Sequence, residues 1–146
     1  MRKIIDTTEI KESGNFELVE EGIHYARIDE IQESITENGD DMITVKLVIV
    51  SGVSQDLWCW DNIVISDNPN SPGYKILGRS KHFLHCINEP YEGKIEVDTD
   101  EWIGKKIQIE VYQDEFINKK GRKSKKAKVK NYLISEELQE EDTPFS

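Results

Sequence analysis

The sequence predicts a mainly β protein in which three strands, one helix and two further strands follow one another. Two features carry this prediction: several stretches in which apolar and polar residues alternate, and one segment with helical spacing that begins at Ser71 and Pro72. The chain of 146 residues has the length of a single domain. Such a domain buries enough surface to be stable without disulfides or a structural metal.

Three strands are predicted before the helix, at residues 17–34, 42–50 and 56–66. Gly22 marks a bend in the first strand, and the sequence "NGDD" predicts the turn that follows it. The second strand alternates most regularly. Its residues expected to face the core are Ile43, Val45, Leu47 and Ile49.

The helix has a clear start signal, because Ser71 is a favourable N-cap and Pro72 suits the first helical position. It is predicted to run to about Ile87, and Pro90 prevents its continuation. Its predicted apolar face consists of Tyr74, Ile76, Leu77, Phe83, Leu84 and Ile87. Trp102, which follows the helix, is expected to pack against the sheet.

The last two strands are predicted at residues 106–116 and 126–134. In the final strand Ala127, Val129 and Leu133 are expected to face inward, and Lys128, Lys130 and Tyr132 outward. This order of elements is that of an OB-fold, a five-stranded Greek-key barrel with one helix between strands 3 and 4. Other small barrels and α+β sheets share the order, so they remain alternatives.

The charges divide the chain into unequal parts. Residues 119–130 carry eight lysine or arginine side chains and no acidic one, whereas residues 135–146 carry five carboxylates and no basic side chain. The net charge is −10, so a basic ribbon projects from an otherwise acidic protein. Such a concentration predicts a polyanionic partner. We therefore expect a flexible arm at 1–14, a nucleic-acid-binding domain at 15–134 and an acidic disordered tail at 135–146.

Single-stranded nucleic acid is bound by basic grooves combined with aromatic platforms. In an OB-fold the loop between strands 4 and 5, here residues 117–127, and the face of strands 2 and 3 bind oligonucleotides. The predicted DNA-binding residues are Lys46, Trp58, Trp60, Tyr112, Lys119, Lys120, Arg122, Lys123, Lys125, Lys126, Lys128, Lys130 and Tyr132. Trp58 and Trp60 share one face of their strand, and the sequence leaves open whether that face is exposed or buried.

No catalytic motif is present, so a non-enzymatic protein without cofactor is expected. His82 and His85 share a helical face with the spacing of a metal pair, but no further ligand cluster completes a site. Cys59 and Cys86 do not form a C-x-x-C pair and are expected to be reduced thiols. The sequence has no apolar run of about 18 residues and no signal peptide, so a cytoplasmic protein without membrane contact is expected.

The segment "EEDTPF" resembles the acidic tip of bacterial single-stranded DNA-binding proteins, which are OB-folds. That resemblance implies that the tip recruits replication or recombination proteins and competes with DNA for the binding groove. The residues that carry it are Glu140, Glu141, Asp142, Pro144 and Phe145. In that family the tip ends on Phe, whereas Ser146 follows here.

Residues 15–134 resemble a family of small phage and prophage proteins, on stretches such as "EWIGKK" and "AKVKNYL". This likeness implies single-stranded DNA binding with little sequence preference, in phage replication or recombination inside a bacterial host. The oligomeric state is open, and a homodimer is one possibility. The alternative is a protein-interaction module whose basic loop binds an acidic host factor.

Overall fold

The structure is a computed structural model that describes residues 1–6 and 17–135. The described residues form five strands, β1 (Gly22–Ile35), β2 (Asp41–Ile49), β3 (Trp58–Ile65), β4 (Lys106–Ile117) and β5 (Lys123–Leu133). Between β3 and β4 lie two helices, α1 (Pro72–Lys75) and α2 (Leu77–Cys86), and a 3₁₀ turn at Thr99–Trp102. The prediction of a mainly β protein with five strands and helical structure before the fourth is confirmed.

All neighbouring strands are antiparallel, and they form one sheet in the order β3-β2-β1-β4-β5. The long strand β1 joins the two halves, because its first part pairs with β4 and its later part pairs with β2. The two edge strands nevertheless meet, since the Tyr132 hydroxyl on β5 donates a hydrogen bond to the Asp61 carboxylate on β3. The sheet therefore curls around its own inner face.

The core lies inside this curl, and the inward residues of β2 confirm the predicted alternation. Ile43, Val45, Leu47 and Ile49 are all buried. Phe83 of α2 covers one side and contacts Trp102 and Tyr132 edge to face, with ring centroids 5.2 and 5.0 Å apart. Trp102 is buried, as the sequence predicted. Edge-to-face pairs of this kind stabilise a core beyond the area that they bury.

The helical segment begins where the sequence predicted. The Ser71 hydroxyl accepts a hydrogen bond from the Gly73 amide at 3.3 Å and donates one to the Asp40 carboxylate. Ser66 donates to the same carboxylate at 2.6 Å, and the hydroxyls of Ser66 and Ser71 lower the pKa of Asp40. The segment is interrupted at Ile76, so two helices replace the single helix that was predicted. α2 ends at Cys86, one residue before the predicted end.

The predicted strand boundaries differ most from the structure at the starts of β1 and β5, and the other boundaries differ by no more than two residues. β1 begins at Gly22 rather than at residue 17. β5 begins at Lys123 rather than at residue 126, which shortens the loop after β4 to residues 118–122. Lys123, Lys125 and Lys126 therefore lie in a strand and not in a loop.

The turns define two ends of the sheet. Because the strands are antiparallel, the β2–β3 and β4–β5 turns lie at the end where β1 begins, which we call the hairpin end. The β1–β2 turn and α1 lie at the opposite end, the helix end, where Asp40 contacts Ser71. Neither α1 nor α2 is long and apolar enough to cross a membrane.

The predicted segments at both ends of the chain are only partly described. Residues 1–6 of the predicted arm are exposed and have no helix or strand, and residues 7–14 lie outside the described residues. The predicted acidic tail, with Glu140, Glu141, Asp142, Pro144 and Phe145, also lies outside them, apart from Ser135.

Candidate nucleic-acid interface

An exposed aromatic cluster lies on the outer face of β2 and β3. Their register places Lys46 opposite Trp60 and Val48 opposite Trp58. The residues between them on each strand face the core, so these side chains point away from it. Trp58 is 55% exposed and Trp60 is half-buried. The structure thus settles the question that the sequence left open: the tryptophan pair lies outside the core.

Lys46 is positioned over both indoles of this cluster, which we call the Trp58 patch (Lys46, Trp58 and Trp60). Its ammonium nitrogen lies 4.6 Å from the ring centroid of Trp58 and 6.0 Å from that of Trp60. At an exposed site such a cation–π contact contributes about 0.5–1 kcal/mol. The patch therefore combines exposed aromatic surface with a positive charge that lies over it.

The second positive region is the basic hairpin, Tyr112–Lys128, formed by the outer parts of β4 and β5 with their turn. The turn is built around Asn118, whose side-chain oxygen accepts hydrogen bonds from the amides of Lys120 at 2.9 Å and Arg122 at 3.0 Å. Gly121 takes a φ of +74°, a conformation that favours glycine. The tip is thus a defined turn that holds its cations outward. The exposed cations at the tip are Lys119, Lys120 and Arg122.

Cross-strand pairing separates the remaining cations of the hairpin onto two faces. Lys123 and Lys125 continue the side of the sheet that faces the core, because Ala127 beside them is buried. Lys126 and Lys128 lie on the outer side, together with Tyr112 and Phe116. The predicted phosphate-binding residues therefore lie on two surfaces. A DNA strand that crosses the hairpin contacts the cations of one surface at a time. Phe116 is 43% exposed, and the sequence prediction did not include it.

Two carboxylates reduce the positive charge of the hairpin. Asp114 forms a salt bridge with Lys128 at 2.9 Å, and its hydrogen bond raises the pKa of Lys128. Glu115 lies opposite Lys125 in the register. The hairpin therefore carries seven cations against two carboxylates. The sequence placed these acidic residues before the basic ribbon, but only the pairing of β4 with β5 brings them beside it.

The Trp58 patch and the basic hairpin lie at the same end of the sheet. The segment before β1 contacts both sides of this end. The side-chain amide of Gln113 on the hairpin donates to the Val19 carbonyl at 3.1 Å, and the Glu20 amide donates to the Ser54 hydroxyl in the β2–β3 turn at 3.0 Å. Trp58 is the first residue after that turn. The fold thus brings together two predicted features that are more than fifty residues apart in the sequence.

Tyr132 does not join this surface, and the prediction that it faces outward is wrong. It is 2% exposed, beneath Phe83 and Arg79, and burial raises the pKa of its hydroxyl well above the usual value. The cause is a β-bulge: the β4–β5 register shifts after Val129, which leaves Lys130 unpaired and reverses the alternation of the residues that follow. Lys130 itself stays exposed.

Arg79 and Asp61 complete the surroundings of Tyr132. The Arg79 guanidinium forms a salt bridge with Asp61 and lies 5.1 Å above the Tyr132 ring. Burial alone would lower the pKa of Arg79, but the hydrogen bond and charge of Asp61 raise it. Asp61 therefore neutralises this cation and joins β3, β5 and α2. These contacts hold β3, β5 and α2 together, and they do not form an open binding surface.

The two histidines with the spacing of a metal pair, His82 and His85, have different partners. His82 Nε2 forms a hydrogen bond with the Tyr132 carbonyl oxygen at 2.7 Å, and the His85 ring stacks on Tyr91 with centroids 4.1 Å apart. Within residues 1–6 and 17–135, no group of three His, Cys, Asp or Glu side chains is arranged to hold a metal ion. Burial raises the pKa of Cys86 to about 11 and, together with the charge of Asp61, that of Cys59 to about 12.

Comparison with known proteins adds no relative, since no family model matches the chain and no curated protein is significantly similar to it.

Proposed function

We propose that this protein binds single-stranded DNA with little sequence preference and is not an enzyme. The observation that carries the proposal is the exposed Trp58, with Lys46 over its ring, at the same end of the sheet as the basic hairpin. Bases stack on aromatic faces and phosphates are neutralised by cations, and neither contact reads the base sequence. A single strand offers both its bases and its backbone, whereas a duplex hides the base faces.

The proposed fold is an OB-fold barrel. Three features support it: the antiparallel order β3-β2-β1-β4-β5, the helical segment between β3 and β4, and the contact between the two edge strands through Tyr132 and Asp61. In such barrels the face of β2 and β3 and the β4–β5 loop bind oligonucleotides. The Trp58 patch and the basic hairpin are the corresponding regions of this chain.

The proposal keeps the biological role that the resemblance implies, phage DNA replication or recombination in the cytoplasm of a bacterial host. In this role the acidic tail, residues 135–146, either competes with DNA for the basic hairpin or recruits partner proteins. Removing this segment strengthens DNA binding if it competes with DNA and leaves affinity unchanged if it only recruits.

The direct test is a titration of the intact protein with oligo-dT and with a duplex of equal charge, at two salt concentrations, followed by intrinsic fluorescence. Trp102 is buried, so a change on DNA binding reports mainly Trp58 and Trp60. We expect quenching by oligo-dT alone, with an affinity that falls with salt by a log–log slope of roughly −0.7 per phosphate contacted. Equal binding of the duplex, or no binding to either, would overturn the proposal.

The basic hairpin is tested by charge reversal. Lys123→Glu, Lys125→Glu and Lys126→Glu together should weaken oligo-dT binding strongly and reduce the salt slope by about 0.7 for each phosphate that the hairpin no longer neutralises. The matched control also reverses three lysines, Lys75, Lys81 and Lys94, which are exposed but lie away from the hairpin end. Equal losses of affinity in both variants would mean that net charge, and not the hairpin, determines affinity.

The runner-up is an interaction module whose hairpin binds an acidic protein. The mixed surface of the hairpin favours it to a degree, since Phe116 and Ile117 are exposed beside the cations. This function needs the hairpin but not the Trp58 patch. Retained partner binding by Trp58→Ala, with no oligo-dT binding by the unaltered protein, would establish it.

A further inference from the structure

One row of side chains crosses the outer face of the sheet from β3 to β4. The register places Trp58 opposite Val48, Val48 opposite Arg27, and Arg27 opposite Lys106. The buried residues that adjoin them on each strand face the core, so these four side chains lie on the outer face. Neighbouring strands lie about 4.8 Å apart, so the row extends about 14 Å from Trp58 to Lys106. Neither Arg27 nor Lys106 is among the residues that the sequence predicted to bind DNA.

Arg27 and Lys106 form a pair of like charges on neighbouring strands. They are the last register pair between β1 and β4, and directly opposed residues of this kind have Cβ atoms about 4.5–5.5 Å apart. Like charges in direct opposition destabilise a sheet. An anion bound between them removes this repulsion. A phosphate suits the position, because the guanidinium donates two parallel hydrogen bonds and the ammonium donates another.

Two carboxylates of β1 adjoin this pair. Asp29 contacts the Arg27 guanidinium at 3.4 Å, but both side chains are more than 40% exposed, so the salt bridge holds the arginine only weakly. Glu30 lies opposite Lys46. Together with Lys46, the pair supplies three cations against these two carboxylates on a chain whose net charge is −10. A bound phosphate therefore competes with Asp29 for Arg27.

A DNA strand that contacts both the Trp58 patch and the outer face of the basic hairpin has to cross β1 and β4. These two strands pair along Gly22–Arg27 and Lys106–Val111. Within those two ranges Arg27 and Lys106 are the only lysine or arginine side chains on the outer face. The other residues on that face are Ile23, Tyr25, Gln108 and Glu110. Phosphates that cross this part of the sheet therefore find their positive partners at the row.

We propose that Arg27 and Lys106 together bind one phosphate of the DNA strand whose bases stack on Trp58. The strand then runs across the sheet from β3 towards β4, and it does not follow β3 along its length. This inference rests on the proposed single-strand binding. It adds to that binding a phosphate contact on β1 and β4, between the Trp58 patch and the basic hairpin.

The test measures oligo-dT binding of the full chain by fluorescence anisotropy at three salt concentrations. The variants are Arg27→Gln, Lys106→Gln and the two combined. We expect the double variant to bind about tenfold more weakly, the lower end for hydrogen bonds to a charged group. Because the two cations share one phosphate, the salt slope should fall by about 0.7 and the losses of the single variants should not add. A slope reduced by about 1.4 would assign them separate phosphates and overturn the shared site.

Two controls separate the site from a general effect of charge. Lys75→Gln with Lys94→Gln removes the same charge from exposed positions away from the row and should leave the affinity nearly unchanged. Equal weakening in this control would overturn the site. Asp29→Asn removes the carboxylate that competes for Arg27, so it should strengthen binding more than Glu37→Gln, which removes an exposed carboxylate at the helix end.

The stability of the double variant distinguishes binding from a structural role. It removes a pair of like charges, so the free energy of unfolding in urea should not fall. A clear loss of stability would make the pair structural and overturn the site. Unchanged oligo-dT affinity in the double variant would overturn this site alone. The absence of oligo-dT binding by the unaltered protein would overturn the proposed function with it.

Discussion

The two faces of β3 carry clusters of the same chemical kind in opposite situations. On the outer face, the Lys46 ammonium lies 4.6 Å from the centroid of the exposed Trp58 ring. On the inner face, the Arg79 guanidinium lies 5.1 Å from the centroid of the buried Tyr132 ring. Each pairs a cation with an aromatic ring. In the inner cluster the Asp61 carboxylate forms a salt bridge with the cation, whereas on the outer face Glu30 lies opposite Lys46 in the strand register.

This difference separates a binding surface from a structural closure. Asp61 neutralises Arg79 and accepts the Tyr132 hydroxyl, so the buried polar groups satisfy one another and join β3 to β5. Lys46 instead lies over an indole that is itself accessible to a ligand. An aromatic residue beside a cation is therefore not a stacking platform unless its ring is accessible. Four substitutions test this distinction, and their expected effects decrease from Phe83→Ala to Lys46→Met.

Removal of Phe83 should have the largest effect and should act on stability. Its ring contacts both Trp102 and Tyr132 in the core, and Phe83→Ala should lower the free energy of unfolding by about 3–5 kcal/mol. Urea denaturation measures this. The control Trp58→Ala removes an exposed ring and its contact with Lys46, and it should change stability by no more than about 1 kcal/mol. A large loss of stability in the control would mean that the outer cluster is also structural.

Removal of Trp58 should act on DNA binding instead. Base stacking contributes about 1–3 kcal/mol for each base, so Trp58→Ala should weaken oligo-dT binding about 5- to 150-fold. Fluorescence anisotropy of a labelled oligonucleotide measures the affinity without relying on tryptophan. Trp58→Phe keeps an aromatic face and should retain most of the affinity for oligo-dT. Unchanged affinity in Trp58→Ala would place the stacked bases elsewhere.

Tyr132→Phe should weaken the contact between β3 and β5 without changing DNA binding. It removes only the hydroxyl bonded to Asp61, which still keeps its salt bridge with Arg79, and should lower stability by about 1 kcal/mol. The oligo-dT affinity should not change, because the ring is buried. A loss of affinity without a loss of stability would indicate that Tyr132 takes part in DNA binding.

Lys46→Met should produce a smaller effect that depends on salt. The substitution removes the charge over Trp58 but keeps a side chain of similar length. We expect a loss of about 0.5–1 kcal/mol in binding, and a salt slope reduced by about 0.7 if the ammonium also contacts a phosphate. Titrations at three salt concentrations measure the slope. The same loss of affinity at every salt concentration would mean that Lys46 acts only by orienting the indole.

Stability should also depend on pH, because of the buried thiols on the inner side of the sheet. Burial raises the pKa of Cys59 to about 12 and of Cys86 to about 11, so the folded protein retains protons that the unfolded chain loses at about pH 8.5. Stability should therefore decline as the pH rises above about 8.5. Denaturation at pH 7 and pH 10 checks this, with Cys59→Ala as the comparison. Rapid reaction of both thiols with a thiol reagent at pH 8, without unfolding, would contradict their burial.

The mainly β architecture and much of the available chemistry follow from local patterns in the sequence. The alternation in Ile43–Ile49 fixed which side of β2 is buried, because successive side chains of a strand point to opposite faces. Ser71 and Pro72 fixed the start of the helical segment, because capping is a local interaction. The basic ribbon at 119–130 is likewise a property of composition alone.

Which of these residues meet depends on how the strands and helices pack together. A strand pattern says that Trp58 and Trp60 share a face, but only the packing of β2 and α2 decides which face is the core. The bulge at Lys130 arises from the pairing of β5 with β4, and it turned Tyr132 from the surface into the core. The position of the Trp58 patch at the hairpin end follows from strand order, which depends on contacts between residues distant in the sequence.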